Sequence, residues 1–360
     1  MFKNFIHKIE RERARQDTNK VVRPFEWGVE FLNGIKSGPT HLQPSPDLMT
    51  RDEMVSAFIQ YNDDALGQSQ HFFDTPNSVD YRVSNGWLSY ESPIESPYAS
   101  NNLAYARYFP ASGLEKAGRV PRDGPDVRRA VLVIPQWNAD SEGHVVICRL
   151  LNFSGISALR LTLPYHDRRM LPEFKRAEYL ISSNVGRTIQ ACRQAVLDAR
   201  LAIQWLAGQG YERIGILGTS IGSCIAFLTF VHEPLLKVGV YNHVSSYFGD
   251  AVWDGITTAH VREGLESTLT REEVRRVWAV ISPNYYLGRL KSNPRRGLLL
   301  SGKYDLTFTP ELTRLLFEEC EKQGINYDRA VVPWGHYTMG MFPFKYYAGY
   351  KMIGYMHKYL

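Results

Sequence analysis

Short apolar segments alternate with amphipathic ones from about residue 128 onward. The longest amphipathic stretch, 185–210, places apolar residues at alternating spacings of three and four, which predicts a helix that closes at Gly208 and Gly210. Because apolar strands alternate with helices, the pattern predicts an α/β fold whose mostly parallel central sheet has helices on both faces. The predicted strands cover 128–135, 157–164, 214–217, 237–245, 297–302 and 329–334.

The first 84 residues do not follow this alternation. Their pattern predicts a helical N-terminal extension, in which one helix begins at a capping box formed by Thr50 and Glu53. The aromatic, strand-like segment 86–110 follows and suits an antiparallel entry to the sheet. We therefore predict an extension over 1–84 and an α/β domain over 85–360.

A second interruption, residues 250–290, lies between two predicted sheet strands. It carries a capping box at Thr270 and Glu273 and the aromatic side chain of Trp253. In an open α/β sheet, ligands bind outside the carboxyl ends of the strands, where this insertion must lie. We predict that it forms a small helical cap that roofs the pocket and selects the substrate.

The composition narrows the class of protein. With 360 residues, 44% of them apolar and 22% charged, the chain can form one large α/β domain or two smaller ones. The formal charge of +5 is small for this length, and the most basic stretch, 8–23, interleaves Lys and Arg with Asp and Glu. This interleaving favours a solvated helix face over a site for nucleic acid or membrane.

The cysteines and the N-terminal segment indicate the cellular compartment in which the protein is expected. Four cysteines, Cys148, Cys192, Cys224 and Cys320, lie far apart and form no CxxC or Cys/His cluster, which argues against a metal site and a disulfide framework. The N-terminal segment meets charged residues too early for a signal peptide, and no apolar run approaches ~18 residues. We expect a cytoplasmic protein.

The strand over 214–217 is joined to the next helix by the sequence GTSIG, residues 218–222, with Ser220 at its centre. A sharp strand-to-helix turn forces its central residue into a strained conformation and needs glycine two positions away on either side, because bulkier residues would clash. The hydroxyl then lies at a helix N-terminus, whose amides favour developing negative charge. This placement predicts Ser220 as a nucleophile; the alternative is a plain glycine-rich turn.

A serine nucleophile needs a base, and the base needs an orienting carboxylate. In the hydrolase topology the acid and then the histidine follow later strands at the same edge of the sheet. Asp305 comes just past the strand over 297–302, and His336 comes just past the strand over 329–334. We predict Asp305 as the acid and His336 as the base. The alternatives are a turn acid and a surface-loop histidine, with Asp250 as another candidate acid.

The oxyanion of a tetrahedral intermediate needs two backbone N–H donors. One is predicted to be Ile221, the residue after the nucleophile. The other must come from the loop over 135–138, which follows the first strand of the α/β domain. These placements define a candidate site for acyl transfer.

The chain resembles α/β-hydrolase-fold enzymes over roughly residues 85–360. Within that superfamily it is most similar to the dienelactone hydrolase and acetyl xylan esterase-like group. The segments SPIESPYASNN, 92–102, and LPYHDRR, 163–169, are similar to the abhydrolase-domain 18 branch.

The resemblance implies roles for individual residues. It implies Ser220 as nucleophile, Asp305 as acid and His336 as base. The chain departs from the family at 135–136, where Pro-Gln replaces the usual His-Gly, and proline has no N–H to donate. By position Trp137 then supplies the second oxyanion N–H, with the preceding glutamine as the other candidate.

The sequence therefore predicts a serine hydrolase that cleaves a small-molecule carboxylic ester through an acyl-enzyme, with no metal and no organic cofactor. The alternatives are an amidase, peptidase or thioesterase with the same triad and, from another class, a catalytically silent binding module. No nucleic-acid or membrane partner is predicted, and the sequence leaves the oligomeric state open. Side chains near the predicted strand ends suggest a pocket for a bulky or aromatic substrate: Trp137, Tyr165, His166, His243, Trp253 and Tyr337.

Overall fold

The computed structural model describes residues 2–17, 20–33, 49–111, 127–292 and 294–360. Within these ranges nine strands form one sheet. The strands are β1 (Arg82–Ser84), β2 (Trp87–Glu91), β3 (Leu103–Phe109), β4 (Arg129–Ile134), β5 (Ser157–Thr162), β6 (Arg213–Thr219), β7 (Leu236–Asn242), β8 (Arg296–Gly302) and β9 (Asp328–Val332).

The strand order across the sheet is β1-β2-β3-β5-β4-β6-β7-β8-β9. The pairs β1–β2, β2–β3 and β3–β5 are antiparallel. From β5 through β4 to β9, every neighbouring pair is parallel. The mostly parallel sheet and its antiparallel entry are therefore confirmed.

The described residues also form fourteen α-helices, which surround the sheet. They are α1 (Phe2–Gln16), α2 (Glu30–Asn33), α3 (Arg51–Gly67), α4 (Ser69–Phe72), α5 (Val145–Phe153), α6 (Val185–Gly208), α7 (Ile221–His232), α8 (Phe248–Asp254), α9 (Ala259–Leu265), α10 (Arg271–Val277), α11 (Leu287–Ser292), α12 (Pro310–Lys322), α13 (His336–Met339) and α14 (Phe344–Tyr359). Short 3-10 helices cover Ala99–Asn101, Asp167–Arg169, Ala279–Ile281 and Pro283–Tyr286.

The sheet separates two buried clusters, because successive side chains of a strand point to opposite faces. On β4, Leu132 belongs to the larger cluster, which includes α6, α7 and much of the N-terminal segment. Val131 and Val133 belong to the second cluster, together with residues of α5 and α14 and with Ile6 of α1. Helices thus cover both faces of the sheet, as predicted.

Helix α6 is more deeply buried than its sequence pattern predicts. One apolar face is expected, whereas every residue from Val185 to Ile203 is buried. The polar side is covered by the N-terminal segment: Gln190 donates to the carbonyl of Phe31 at 2.9 Å, and Arg193 donates to that of Phe72 at 2.6 Å. These bonds compensate for the desolvation of the polar side chains.

The described part of the N-terminal segment 1–84 contains helices α1 to α4, with loops between them and strand β1 at its end. The predicted capping box of Thr50 and Glu53 starts α3. Parts of the predicted extension, 18–19 and 34–48, lie outside the described residues. The solvated face expected for residues 8–23 agrees with the exposed Lys8, Arg11 and Glu12. It is wrong at Glu10, which is fully buried because α1 packs against the turn at 335–338.

Residues 250–290 are also largely helical, and the predicted capping box of Thr270 and Glu273 starts α10. No helix among the described residues is both long and apolar enough to cross a lipid bilayer.

The carboxyl ends of β6, β7, β8 and β9 meet at one edge of the sheet. Thr219 at the end of β6 pairs with Asn242 at the end of β7, which in turn pairs with Leu300 of β8. Gly302 at the end of β8 pairs with Val332 at the end of β9. Residues that directly follow these four strands are therefore brought together.

Candidate active site

The turn between β6 and α7 has the geometry that its glycines predict. Ser220 adopts φ 57° and ψ −125°, a region that non-glycine residues rarely occupy. A Cβ on Gly218 would lie 2.1 Å from the carbonyl oxygen of Gly222, and a Cβ on Gly222 would lie 2.4 Å from that of Ile134. The Ser220 N–H donates to the carbonyl of Asn242 at 2.8 Å. This network holds the serine at the start of α7.

Asp305 is fully buried beyond the end of β8. Its Oδ1 accepts the N–H groups of Thr307 at 2.7 Å and Phe308 at 2.8 Å. Its Oδ2 lies 2.6 Å from Nδ1 of His243 and 3.5 Å from Nδ1 of His336. Burial raises the pKa of Asp305, but the two neighbouring imidazoles outweigh it and hold the pKa well below its usual value.

Two histidines therefore share one carboxylate oxygen, with ring centroids 4.7 Å apart. The side chain of His336 is 14% exposed and that of His243 only 2%. Both rings line the same cavity as Ser220. Nε2 of His243 is buried and has no hydrogen-bond partner among the described residues.

The two rings differ in their affinity for a proton. Burial is the largest influence on both and lowers the pKa of each. For His336 the carboxylates of Asp305 and Glu10 outweigh burial and raise the pKa above its ordinary value. For His243 burial prevails over Asp305, and the nearby His336 lowers the pKa further. His336 is thus the more basic of the two.

The same three side chains could in principle hold a metal ion, because His243, Asp305 and His336 offer ligand atoms within 4.8 Å of one another. Two ligands of one zinc ion, each about 2.0–2.1 Å from it in tetrahedral geometry, lie roughly 3.3 Å apart. The separation of 2.6 Å between Nδ1 of His243 and Oδ2 of Asp305 is shorter than this and is that of a close imidazole–carboxylate contact. The geometry fits an ionisable carboxylate–imidazole cluster better than a metal site.

The loop after β4 lies next to the serine. The Asn138 N–H donates to Nε2 of His166 at 2.9 Å, and Nδ1 of His166 donates to the carbonyl of Pro164 at 2.8 Å. Burial lowers the pKa of His166 to about 4, so the ring is neutral near pH 7 and can accept the amide hydrogen. In the described part of the chain, the backbone N–H groups of Trp137 and Ile221 have no acceptor.

No protein-family model and no curated protein match the sequence. Solved structures do match. An acylaminoacyl peptidase from Pyrococcus horikoshii is 13% identical with a TM-score of 0.56, over 79% of this chain and 42% of that one. Acetyl xylan esterase 1 from Thermoanaerobacterium sp. is 14% identical with a TM-score of 0.55, over 84% and 93%. A lipase in its open form is 11% identical with a TM-score of 0.53, over 75% and 98%.

The chain has the α/β-hydrolase fold. It spans less than half the length of the peptidase and nearly the full length of the esterase and the lipase. The predicted fold is confirmed. In this fold the order of serine, acid and histidine along the chain matches that of Ser220, Asp305 and His336.

In the described part of the chain, two cavities reach Ser220. The larger, about 640 Å³, has apolar walls from α5 and α14, including Val146, Leu150 and Met352. The smaller, about 50 Å³, is bordered on one side by the segment that contains α8. The residues of this segment in its wall are Phe248, Ala251, Val252, Thr257 and Thr258.

Of the residues predicted to line the pocket, some border the two cavities and others do not. Trp137 borders both cavities, and Tyr337 borders the larger. Tyr165, His166 and Trp253 border neither of these two cavities. The Tyr165 ring is buried against Tyr98 and Tyr179, His166 supports the loop after β4, and Trp253 packs against the larger core cluster.

The other candidate acid, Asp250, is buried on α8. Its carboxylate accepts hydrogen bonds from Arg271 at 3.1 Å and from Arg275 at 2.9 Å. Asp305, by contrast, faces two imidazoles. The sequence indicates His243 as a pocket-lining side chain, and this residue does line the larger cavity. Its contact with Asp305 is not predicted, although His243 follows β7, which lies between the nucleophile strand and the acid strand.

Proposed function

We propose that the protein is a serine hydrolase that cleaves a carboxylic ester through an acyl-enzyme intermediate. The observation that carries the proposal is the strained Ser220 turn at the start of α7, with Asp305 and His336 at the same edge of the sheet. Strain of this kind is stable only where the surrounding structure enforces it, and it occurs preferentially at functional sites.

In the proposed reaction, His336 removes the proton from the Ser220 hydroxyl as the serine oxygen attacks the acyl carbon. The amides of Ile221 and Trp137 stabilise the resulting oxyanion. The C–O bond to the alcohol then breaks, and the proton on His336 passes to the leaving alkoxide. Water, deprotonated by the same imidazole, then attacks the acyl carbon. The C–O bond to Ser220 breaks, the proton on the imidazole passes to the serine oxygen, and the carboxylic acid leaves.

The shape of the site supports a substrate with two unequal parts. The cavity of about 640 Å³ has room for a bulky apolar group, whereas that of about 50 Å³ admits only a few heavy atoms. The short contact between His243 and Asp305 does not fit a metal ion at this cluster, so we propose catalysis by protein groups alone, without a cofactor. The segment 248–258 borders the smaller cavity and is proposed to select the group bound there.

The second candidate is a peptidase, because the same triad stabilises the same intermediate for an amide and the fold matches acylaminoacyl peptidases. The likeness to those enzymes covers 42% and 41% of their chains, whereas the likeness to the acetyl xylan esterase covers 93% of that enzyme. Both substrate classes fit this fold, and a comparison of ester with anilide turnover distinguishes them.

Labelling with a fluorophosphonate tests the function directly. We expect the probe to attach to Ser220, because it phosphonylates serines that a base has activated. The kcat/KM is expected to be higher for a p-nitrophenyl ester than for the p-nitroanilide or the coenzyme A thioester of the same acyl group. Because the p-nitrophenyl ester is intrinsically the more reactive substrate, efficient cleavage of the anilide, even if slower than that of the ester, would favour the peptidase. Absence of both labelling and turnover would favour a silent binding module.

Replacing Asp305 by asparagine is expected to cut kcat by up to ~10^4, because the amide favours the wrong imidazole tautomer. The matched control is Asp250→Asn, which removes a buried carboxylate charge from the same domain and is expected to lower the melting temperature while sparing kcat. Steady-state kinetics with thermal melting would distinguish them. If Asp305→Asn stayed active and Asp250→Asn lost its activity, Asp250 rather than Asp305 would be the catalytic acid.

A further inference from the structure

Helix α1 carries a carboxylate into the domain interior beside the proposed base. The Glu10 side chain is fully buried, while Arg11 and Glu12 next to it are exposed. A Cβ on Gly335 would lie 2.6 Å from the carboxyl carbon of Glu10, so only glycine lets the carboxylate approach here. Burying a carboxylate is unfavourable unless hydrogen bonds compensate for the lost water.

Those hydrogen bonds come from the turn that contains His336. Glu10 Oε2 accepts the N–H of Tyr337 at 3.1 Å, and Oε1 accepts both the N–H and the hydroxyl of Thr338 at 2.9 Å. The Thr338 hydroxyl oxygen in turn accepts the N–H of Gly335 at 2.8 Å. One carboxylate therefore fixes the backbone on both sides of the histidine.

We propose that Glu10 is a positioning residue for His336, holding its turn so that the imidazole stays between Asp305 and Ser220. The proposal rests on the proposed hydrolase function, because that function makes His336 the base. Its effect is on orientation: a displacement of about 1 Å in a reacting group can cost on the order of 100-fold in rate. The N-terminal segment would then be part of the active-site framework.

The charge of Glu10 also affects the pKa of the His336 imidazole. Burial lowers the pKa of His336, and the carboxylates of Asp305 and Glu10 together raise it above the ordinary value. A base works in its neutral form, so the raised pKa moves the acid limb of the kcat/KM profile to higher pH. Among the described residues, the other titratable or charged groups near this turn include His243 after β7, Tyr337 on the turn itself, Tyr304 beside Gly335, and Asp17 and Arg176 near Tyr337.

The test compares Glu10→Gln with Glu12→Gln, the same chemical change at an exposed position of α1. In Glu10→Gln, one amide N–H would face a backbone N–H, and the charge would be lost. We expect kcat to fall about 10- to 100-fold with little change in KM, and the acid limb to move to lower pH. The Glu12→Gln variant should match the wild type.

A second pair covers the outcome in which Glu10→Gln does not fold. Thr338→Val removes the bridging hydroxyl, whereas Thr338→Ser keeps it. We expect reduced kcat in the valine variant and recovery in the serine variant, which a purely steric role of the threonine would not produce.

Histidine titration by NMR, with His336 assigned from a His336→Gln variant, gives a readout independent of turnover. A lower pKa of His336 in Glu10→Gln than in Glu12→Gln supports the proposal. Equal pKa values together with equal kcat, or a change confined to the melting temperature, would overturn it. A wild-type protein with no turnover and no labelling would instead refute the proposed function, and the NMR comparison would still decide the effect of Glu10 on His336.

Discussion

Replacing Ser220 by alanine is expected to lower kcat for ester hydrolysis by roughly 10^4–10^6, the range typical of triad knock-outs. The change removes the nucleophile and leaves the oxyanion donors and the cavities in place. Residual turnover would then come from binding and oxyanion stabilisation alone. Steady-state kinetics on a p-nitrophenyl ester measures the loss, and retention of more than a few per cent of wild-type turnover would rule out Ser220 as the nucleophile.

The fold of that variant is expected to stay intact. The strained backbone at Ser220 is held by its N–H bond to Asn242 and by the close approach of Gly218 to Gly222, none of which involves the hydroxyl. The matched control is Ser245→Ala, which removes a hydroxyl from the wall of the smaller cavity. It should keep kcat near the wild-type value, and both variants should melt cooperatively.

The sheet and the turn at Ser220 could be predicted because their signals are local. Apolar runs separated by amphipathic segments specify parallel strands and their crossover helices, and a glycine pair around a serine specifies the sharp turn. Asp305 and His336 could be placed because each directly follows a predicted strand, and the carboxyl ends of parallel strands meet at one edge.

Contacts between segments that are distant in the sequence could not be predicted from local patterns. Nothing in the pattern around Glu10 distinguishes it from the exposed Glu12, and only the packing of α1 brings it to the turn before Thr338. The sequence pattern likewise predicts that the polar positions of α6 are exposed to solvent, whereas in the structure the N-terminal segment covers them. The burial of a polar residue depends on a partner that local periodicity does not specify.

The residues predicted to line the pocket show how much can be inferred from a position directly after a strand. Tyr165 and His166 do follow β5, but Tyr165 has φ 62° and its ring packs against other tyrosines, while His166 bonds to the loop after β4. The position after a strand indicates the edge of the sheet on which a residue lies. It does not indicate the direction of the side chain, which the turn geometry decides.

The two histidines that share Asp305 need a direct comparison. A base must present one ring nitrogen to the carboxylate and the other to the serine hydroxyl. His336 is the more exposed ring and has a raised pKa, whereas the Nε2 atom of His243 is buried without a partner in the described structure. These differences support the proposal that His336 is the base and that His243 is a buried neighbour that helps to fix the carboxylate.

His336→Gln is therefore expected to lower kcat by up to about 10^6, similar to the loss of the nucleophile itself. The matched change His243→Gln keeps a hydrogen-bond donor near the carboxylate and is expected to cost no more than on the order of 100-fold, through displacement of Asp305. Rates of fluorophosphonate labelling, measured against pH, would compare activation of Ser220 in both variants independently of substrate binding. If His243→Gln abolished labelling while His336→Gln kept it, the base would be His243, and the raised pKa of His336 would reflect its position between two carboxylates rather than catalysis.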